Sequence, residues 1–99
     1  MMGMKMKEAT KWDASEYLES EDDIAAYLNA ALGGGDTSVI ATALGDIARA
    51  KGMTQLAKET GITRDGLYKA LSPTGNPLFD TVQKVIRAFG LKLDVTASI

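Results

Sequence analysis

Apolar positions recur at helical spacing through most of the chain and change to strict alternation only at its end. Ile24, Tyr27, Leu28, Ala31 and Leu32 fall at i, i+3, i+4, i+7 and i+8, which is one face of an amphipathic helix. Ser20 stands before them as an N-cap, and Asp23 three residues on makes a short capping box. Glu21, Asp22 and Asp23 fill the first turn, where negative charge suits the helix dipole. The run GGGD at 33–36 stops this helix. Asp36 then caps the next, whose stripe is Ile40, Ala43, Leu44, Ile47 and Ala48, closed by Arg49, Lys51 and Gly52. Upstream, residues 12–18 predict a short helical turn capped by Asp13 that exposes Trp12, Tyr17 and Leu18. Residues 1–11 read as a frayed leader.

Two short helices follow, at about 54–60 and 63–71, with Gly61 at the turn between them. Ala57 is the small residue where they touch, and Leu56, Ile62, Leu67 and Leu71 face inward. Residues 72–77 form a loop by composition. Asn76 and Pro77 predict the N-cap and first position of a last helix with apolar Leu78, Val82, Val85, Ile86 and Phe89, ended by Gly90. Leu91, Leu93, Val95, Ala97 and Ile99 then alternate with polar residues, the pattern of a half-buried strand. No other segment reads as a strand. This one must therefore pair outside its own chain, or fray.

Composition narrows the chemistry. The chain of 99 residues, 45% hydrophobic and 24% charged, suits one globular domain. It has no cysteine and no histidine, which removes disulfides, thiol chemistry, imidazole metal sites and histidine acid–base catalysis. Paired acids such as Asp22 and Asp23 sit in a first helical turn, where capping accounts for them, and no nucleophile–base set accompanies them. The glycines at 33–35 have neither a preceding strand nor a following lysine, so they are not a phosphate-binding loop. No catalytic residue, metal site or cofactor is expected. Nor is a secretory signal or a membrane span, so a cytoplasmic protein is expected.

The formal net charge of −2 conceals a split. Residues 11–46 carry eight acids and one base; residues 47–99 carry eight bases and four acids. The bland reading is that the two kinds of charge solvate different helices. The functional reading is that the two halves meet different partners.

A helical pair with a small contact residue, a glycine turn and inward leucines is a common device for reading DNA. On that reading Thr63, Arg64, Asp65, Tyr68 and Lys69 face outward on the second helix as candidates for base edges. Thr54 and Gln55, at the start of the first helix, and Asn76, at the start of the last, are phosphate or sugar candidates. Tyr68 could instead cover the rim of the core.

The pair and its flanks resemble the Xre family of phage-repressor-like helix-turn-helix domains. The stretches KWDASEYL, EDDIAAYLNAAL, LGDIARAKGMTQLAKETG, LYKALSPTGNP and VIRAFGLKL together resemble the addiction-module antidote proteins, HigA-like antitoxins, over roughly residues 11–94. The resemblance implies an all-α, lambda-repressor-like five-helix domain with an N-terminal helical extension and a short C-terminal strand for dimerisation. The expected divisions are a leader at 1–11, an acidic extension at 12–35, a DNA-binding domain at 36–90 and a strand at 91–99. The implied role is antitoxin of a type II toxin–antitoxin module. Such a protein binds operator DNA to repress its own operon and neutralises a small basic RelE/HigB-like ribonuclease encoded next door. Trp12, Tyr17, Leu18, Asp22, Asp23 and Tyr27 are then the toxin-binding candidates. Leu91, Leu93 and Val95 would pair a homodimer, or else add a strand to the toxin's sheet. The alternative is a free-standing prophage regulator with no toxin. Gly66 departs from the family pattern: in the reading helix it costs about 1 kcal/mol relative to alanine, suggesting close approach of DNA or ordering on binding.

Overall fold

The computed structural model describes residues 18–98, and all regular structure within them is helical. Five helices follow in order: α1 (Glu21–Gly34), α2 (Thr37–Lys51), α3 (Met53–Thr60), α4 (Arg64–Ala70) and α5 (Phe79–Ala88). The leader, Trp12, Asp13, Tyr17 and Ile99 lie outside the described residues.

Local signals placed the first two helices. Ser20 accepts from the Asp23 amide at 3.1 Å, and the Asp23 carboxylate accepts from the Ser20 amide at 3.4 Å, which completes the box. Asp36 accepts from the amides of Ser38 and Val39. Gly35 ends α1 at φ 74° and Gly61 ends α3 at φ 77°, a region that side chains with a Cβ seldom enter.

Leu44, Ile47, Leu56, Leu67, Leu71, Val85 and Phe89 form the fully buried centre, drawn from both charge halves. Ile24, Leu28 and Ala31 of α1 belong to the same cluster. α1 packs on α2, and α3 packs on α2, α4 and α5. A contact that the stripes do not announce holds α2 to the end of α4. Gly45 is buried, and a Cβ there would run into the Leu71 carbonyl oxygen. Only glycine lets the two backbones approach that closely.

Four expectations need correction. Leu18 is not an exposed anchor but a core residue, 7% exposed, because the chain entering α1 turns it onto the cluster. The last helix starts at Phe79 rather than Pro77; Leu78 is its N-cap, in extended conformation with no side-chain cap bond. Asn76 therefore does not begin a helix. Leu78 itself is 74% exposed instead of inward, since the stripe Val82, Val85, Ile86 and Phe89 already supplies the buried face. Finally, residues 91–98 form no strand. Among the described residues no second extended segment offers a ladder, so alternation has nothing to pair with. Leu91 packs half-buried on the core, while Val95 is 92% exposed.

Candidate DNA-reading and partner-binding faces

α3 and α4 are joined by a three-residue turn, Gly61, Ile62 and Thr63. Leu56, Leu67 and Leu71 are buried beneath them, with Ala57 and Ile62 packed at the edge. This phase turns Arg64, Asp65, Tyr68 and Lys69 to the outside, all exposed. The Arg64 guanidinium carbon lies 5.8 Å from the centre of the Tyr68 ring. An exposed cation–π contact of this kind contributes about 0.5–1 kcal/mol and holds both side chains in one arrangement. Tyr68, at 43% exposed, thus belongs to the outer face.

Thr63 stands at the head of α4 with its hydroxyl oxygen accepting from the Gly66 amide at 3.0 Å. Its first task is that cap, worth about 1 kcal/mol. The same contact gives a local reason for glycine at 66. A Cβ there would sit 3.1 Å from the Thr63 hydroxyl oxygen and 3.3 Å from Ile62 Cγ2. Thr54 and Gln55 are exposed in the first turn of α3, and the Gln55 amide donates to Glu59 at 2.9 Å. Asn76 is exposed in the loop before α5. Lys58 and Lys69 are exposed on the same two helices as Arg64, as are the acids Glu59 and Asp65, whereas Lys84 is paired with Asp80 at 3.1 Å.

The N-terminal part of the described chain is acidic. From Leu18 to Ala48 there are six acids and no base. Asp22 is exposed, whereas Asp23 is engaged in the capping box. Tyr27 is half-buried between α1 and α2, and its hydroxyl donates to Asp46 Oδ2 at 2.7 Å. The other oxygen of Asp46 accepts from Arg49, also at 2.7 Å. Burial, then the hydrogen bond and charge of Asp46, push the Tyr27 phenol up from 10.0 to about 12. Tyr27 is thereby more a tie between two helices than a free anchor. Beside it runs a groove of about 380 Å³ lined by Ala30, Ala31, Ser38, Val39 and Thr42. Val39, half exposed, was missed because it lies one step off the inward stripe of α2.

These features define a small all-helical protein whose acids prevail before Ile47 and whose bases prevail after it. Among the described residues no helix is long and apolar enough to cross a membrane, and no acidic cluster is placed to hold a metal ion. The chain matches the family described as "Probable addiction module antidote protein" over residues 8–97. It belongs to that family, and membership implies a toxin partner. It is similar to an uncharacterized protein of Haemophilus influenzae, 52% identical over 87 residues, which cover 88% of this chain and 90% of the relative. No solved structure matches.

Proposed function

We propose that the chain is the antitoxin of a type II toxin–antitoxin module and uses its two charged halves for two partners. α3 and α4 act as a helix-turn-helix of the lambda-repressor-like, Xre kind, binding double-stranded operator DNA and repressing the chain's own operon in the cytoplasm. The acidic half binds a small basic RelE/HigB-like ribonuclease, encoded next door, and neutralises it. The role is binding, not catalysis. One observation carries this reading: Glu21, Asp22 and Asp23 open α1 with no base from Leu18 to Ala48, against Lys58, Arg64 and Lys69 exposed on α3 and α4, where they outnumber Glu59 and Asp65. A polyanion is drawn to the second face and a basic protein to the first. In addition, α3 has no side-chain cap, which leaves its first amides for a phosphate next to Thr54 and Gln55. Family membership favours this over a free-standing regulator, because an antidote has a toxin to bind.

The DNA half is tested by titrating the operon's promoter fragment and a scrambled control at several salt concentrations. Arg64→Ala should cost about 1–3 kcal/mol and relax the preference for the promoter, whereas Lys58→Ala should weaken both DNAs alike. Equal affinity of the unmodified protein for both fragments would remove sequence-specific reading. The toxin half is tested by co-expression with the neighbouring gene product. The chain should restore growth, and Asp22→Lys should weaken the rescue in the full-length protein. If the rescue survives that reversal together with Glu21→Lys, the acidic first turn is not the contact.

A further inference from the structure

Glu59 is out of place by the local rules of a helix. It lies in the last turn of α3, where the dipole favours a cation and disfavours a carboxylate. Among the described residues no cation pairs with it. It is also exposed on the helix pair proposed to meet a polyanion, where an acid repels phosphate. Asp65, the other acid of that pair, stands in the first turn of α4, where the dipole suits it. Glu59 has a different partner. The Gln55 side-chain amide, one turn away, donates to it at 2.9 Å. An exposed bond at this spacing contributes little to a helix, about as much as an acid at the wrong end costs. Stability does not account for Glu59.

We propose that Glu59 is a positioning residue that makes Gln55 a base-reading contact rather than a phosphate contact. The proposal rests on the reading of α3 and α4 as a DNA-binding pair. A carboxylate only accepts, so it takes an N–H of the Gln55 amide and turns the amide oxygen away from itself. What stays free on Gln55 is that oxygen and the second N–H, an acceptor beside a donor. The amino group and N7 of an adenine complement this pair in the major groove. A phosphate offers acceptors alone, so it would leave the Gln55 oxygen unused and bring its own charge towards Glu59. Adenine matches both ends and carries no charge. Thr54, exposed beside Gln55 in the same first turn and bonded to no acid among the described residues, keeps the phosphate role.

The test uses the full chain and two readouts, the first without DNA. In the free protein, nitrogen relaxation measured by NMR should show a restrained Gln55 side-chain amide that Glu59→Ala releases. An amide equally mobile in both overturns the proposal, whatever the DNA results. For the second readout, the promoter fragment and its scrambled control are titrated with the unmodified protein, Gln55→Ala, Glu59→Ala and the double variant. All four sites of change are exposed, and far-UV circular dichroism checks that the helices persist. Gln55→Ala should lower the promoter-over-scrambled affinity ratio by about tenfold. Glu59→Ala should lower it part of the way while strengthening binding to the scrambled DNA. In the Gln55→Ala background the same change should leave the ratio as it is, because Glu59 acts through Gln55. A Gln55→Ala variant that binds both DNAs more weakly by one factor marks a phosphate contact and overturns the inference. An effect of Glu59→Ala on the ratio that persists without Gln55 overturns it too. The DNA-binding reading fails by a separate sign: an unmodified protein with no preference for the promoter removes sequence-specific binding, and this inference with it.

Discussion

α1 and α2 differ from α3, α4 and α5 in more than charge. α1 and α2 are 14 and 15 residues long, each begun by a side-chain cap, Ser20 with Asp23 in one and Asp36 in the other. α3, α4 and α5 are 8, 7 and 10 residues long, and only α4 has a side-chain cap. Helices of 7 or 8 residues are too short to persist on local interactions. The proposed reading face therefore owes its shape to the core beneath it, whereas the acidic face has more support of its own. Yet one cluster serves both. Charge divides the surface, and the interior does not follow that division.

The most damaging way to probe this unity is to hollow the core from the basic side. Phe89 is fully buried just after α5. Phe89→Ala should destabilise the chain by about 3–5 kcal/mol. With a single core, α1 and α4 should lose amide protection together in hydrogen exchange and melt in one transition. If α1 stays protected while α4 exchanges freely, the acidic half is an independent unit and the comparison must be redrawn.

A milder change addresses the tie between α1 and α2. Tyr27→Phe removes the hydroxyl bonded to Asp46, a loss of about 0.5–1.5 kcal/mol for a hydrogen bond of ordinary strength. It also predicts a pH signature. The folded phenol titrates near 12 and the unfolded one near 10.0, so the fold favours the protonated form. The stabilisation is complete below pH 10 and disappears as pH rises towards 12. The stability difference between the native protein and Tyr27→Phe should therefore be constant at neutral pH and shrink across that window. A difference that holds unchanged to pH 12 would show that the hydroxyl contributes nothing linked to its proton.

What could be read beforehand was what depends on neighbours in sequence. The capping box at Ser20, the cap at Asp36, the glycine turns at 35 and 61 and the inward stripes, Leu32 excepted because it is exposed at the end of α1, involve residues within a few positions of one another. What could not be read depends on where distant segments return. Leu18 and Leu78 are both leucines at the edge of a helix, yet one is buried and the other is in solvent, and only tertiary packing distinguishes them. Gly45 gave no local sign that the Leu71 carbonyl would press on it. The tail alternates like a strand, but a strand is defined by its partner, and the chain provides none among its described residues. Of the candidate sites, the outward position of Arg64, Asp65, Tyr68 and Lys69 was legible from the helical phase. The prior engagement of Thr63 and Tyr27 in hydrogen bonds was not.

The smallest expected effect sharpens the account of α4, the shortest of the basic helices. Gly66→Ala should gain about 1 kcal/mol in helix propensity. Against this, the new Cβ must fit 3.1 Å from the Thr63 hydroxyl oxygen, which is itself held by the cap to the Gly66 amide. Relief requires Thr63 to shift by a few tenths of an ångström, at the expense of a cap worth about as much as the propensity gained. The two terms should nearly cancel, leaving a net change within about 0.5 kcal/mol of zero. A double-mutant cycle separates them. In a Thr63→Ala background the cap and its crowding are already gone, and Gly66→Ala should then show most of its propensity gain in urea or thermal unfolding. Equal effects of Gly66→Ala with and without the Thr63 hydroxyl would mean that the cap does not govern position 66. The glycine would then have to be explained by what approaches α4 from outside, which returns the question to the face turned towards DNA.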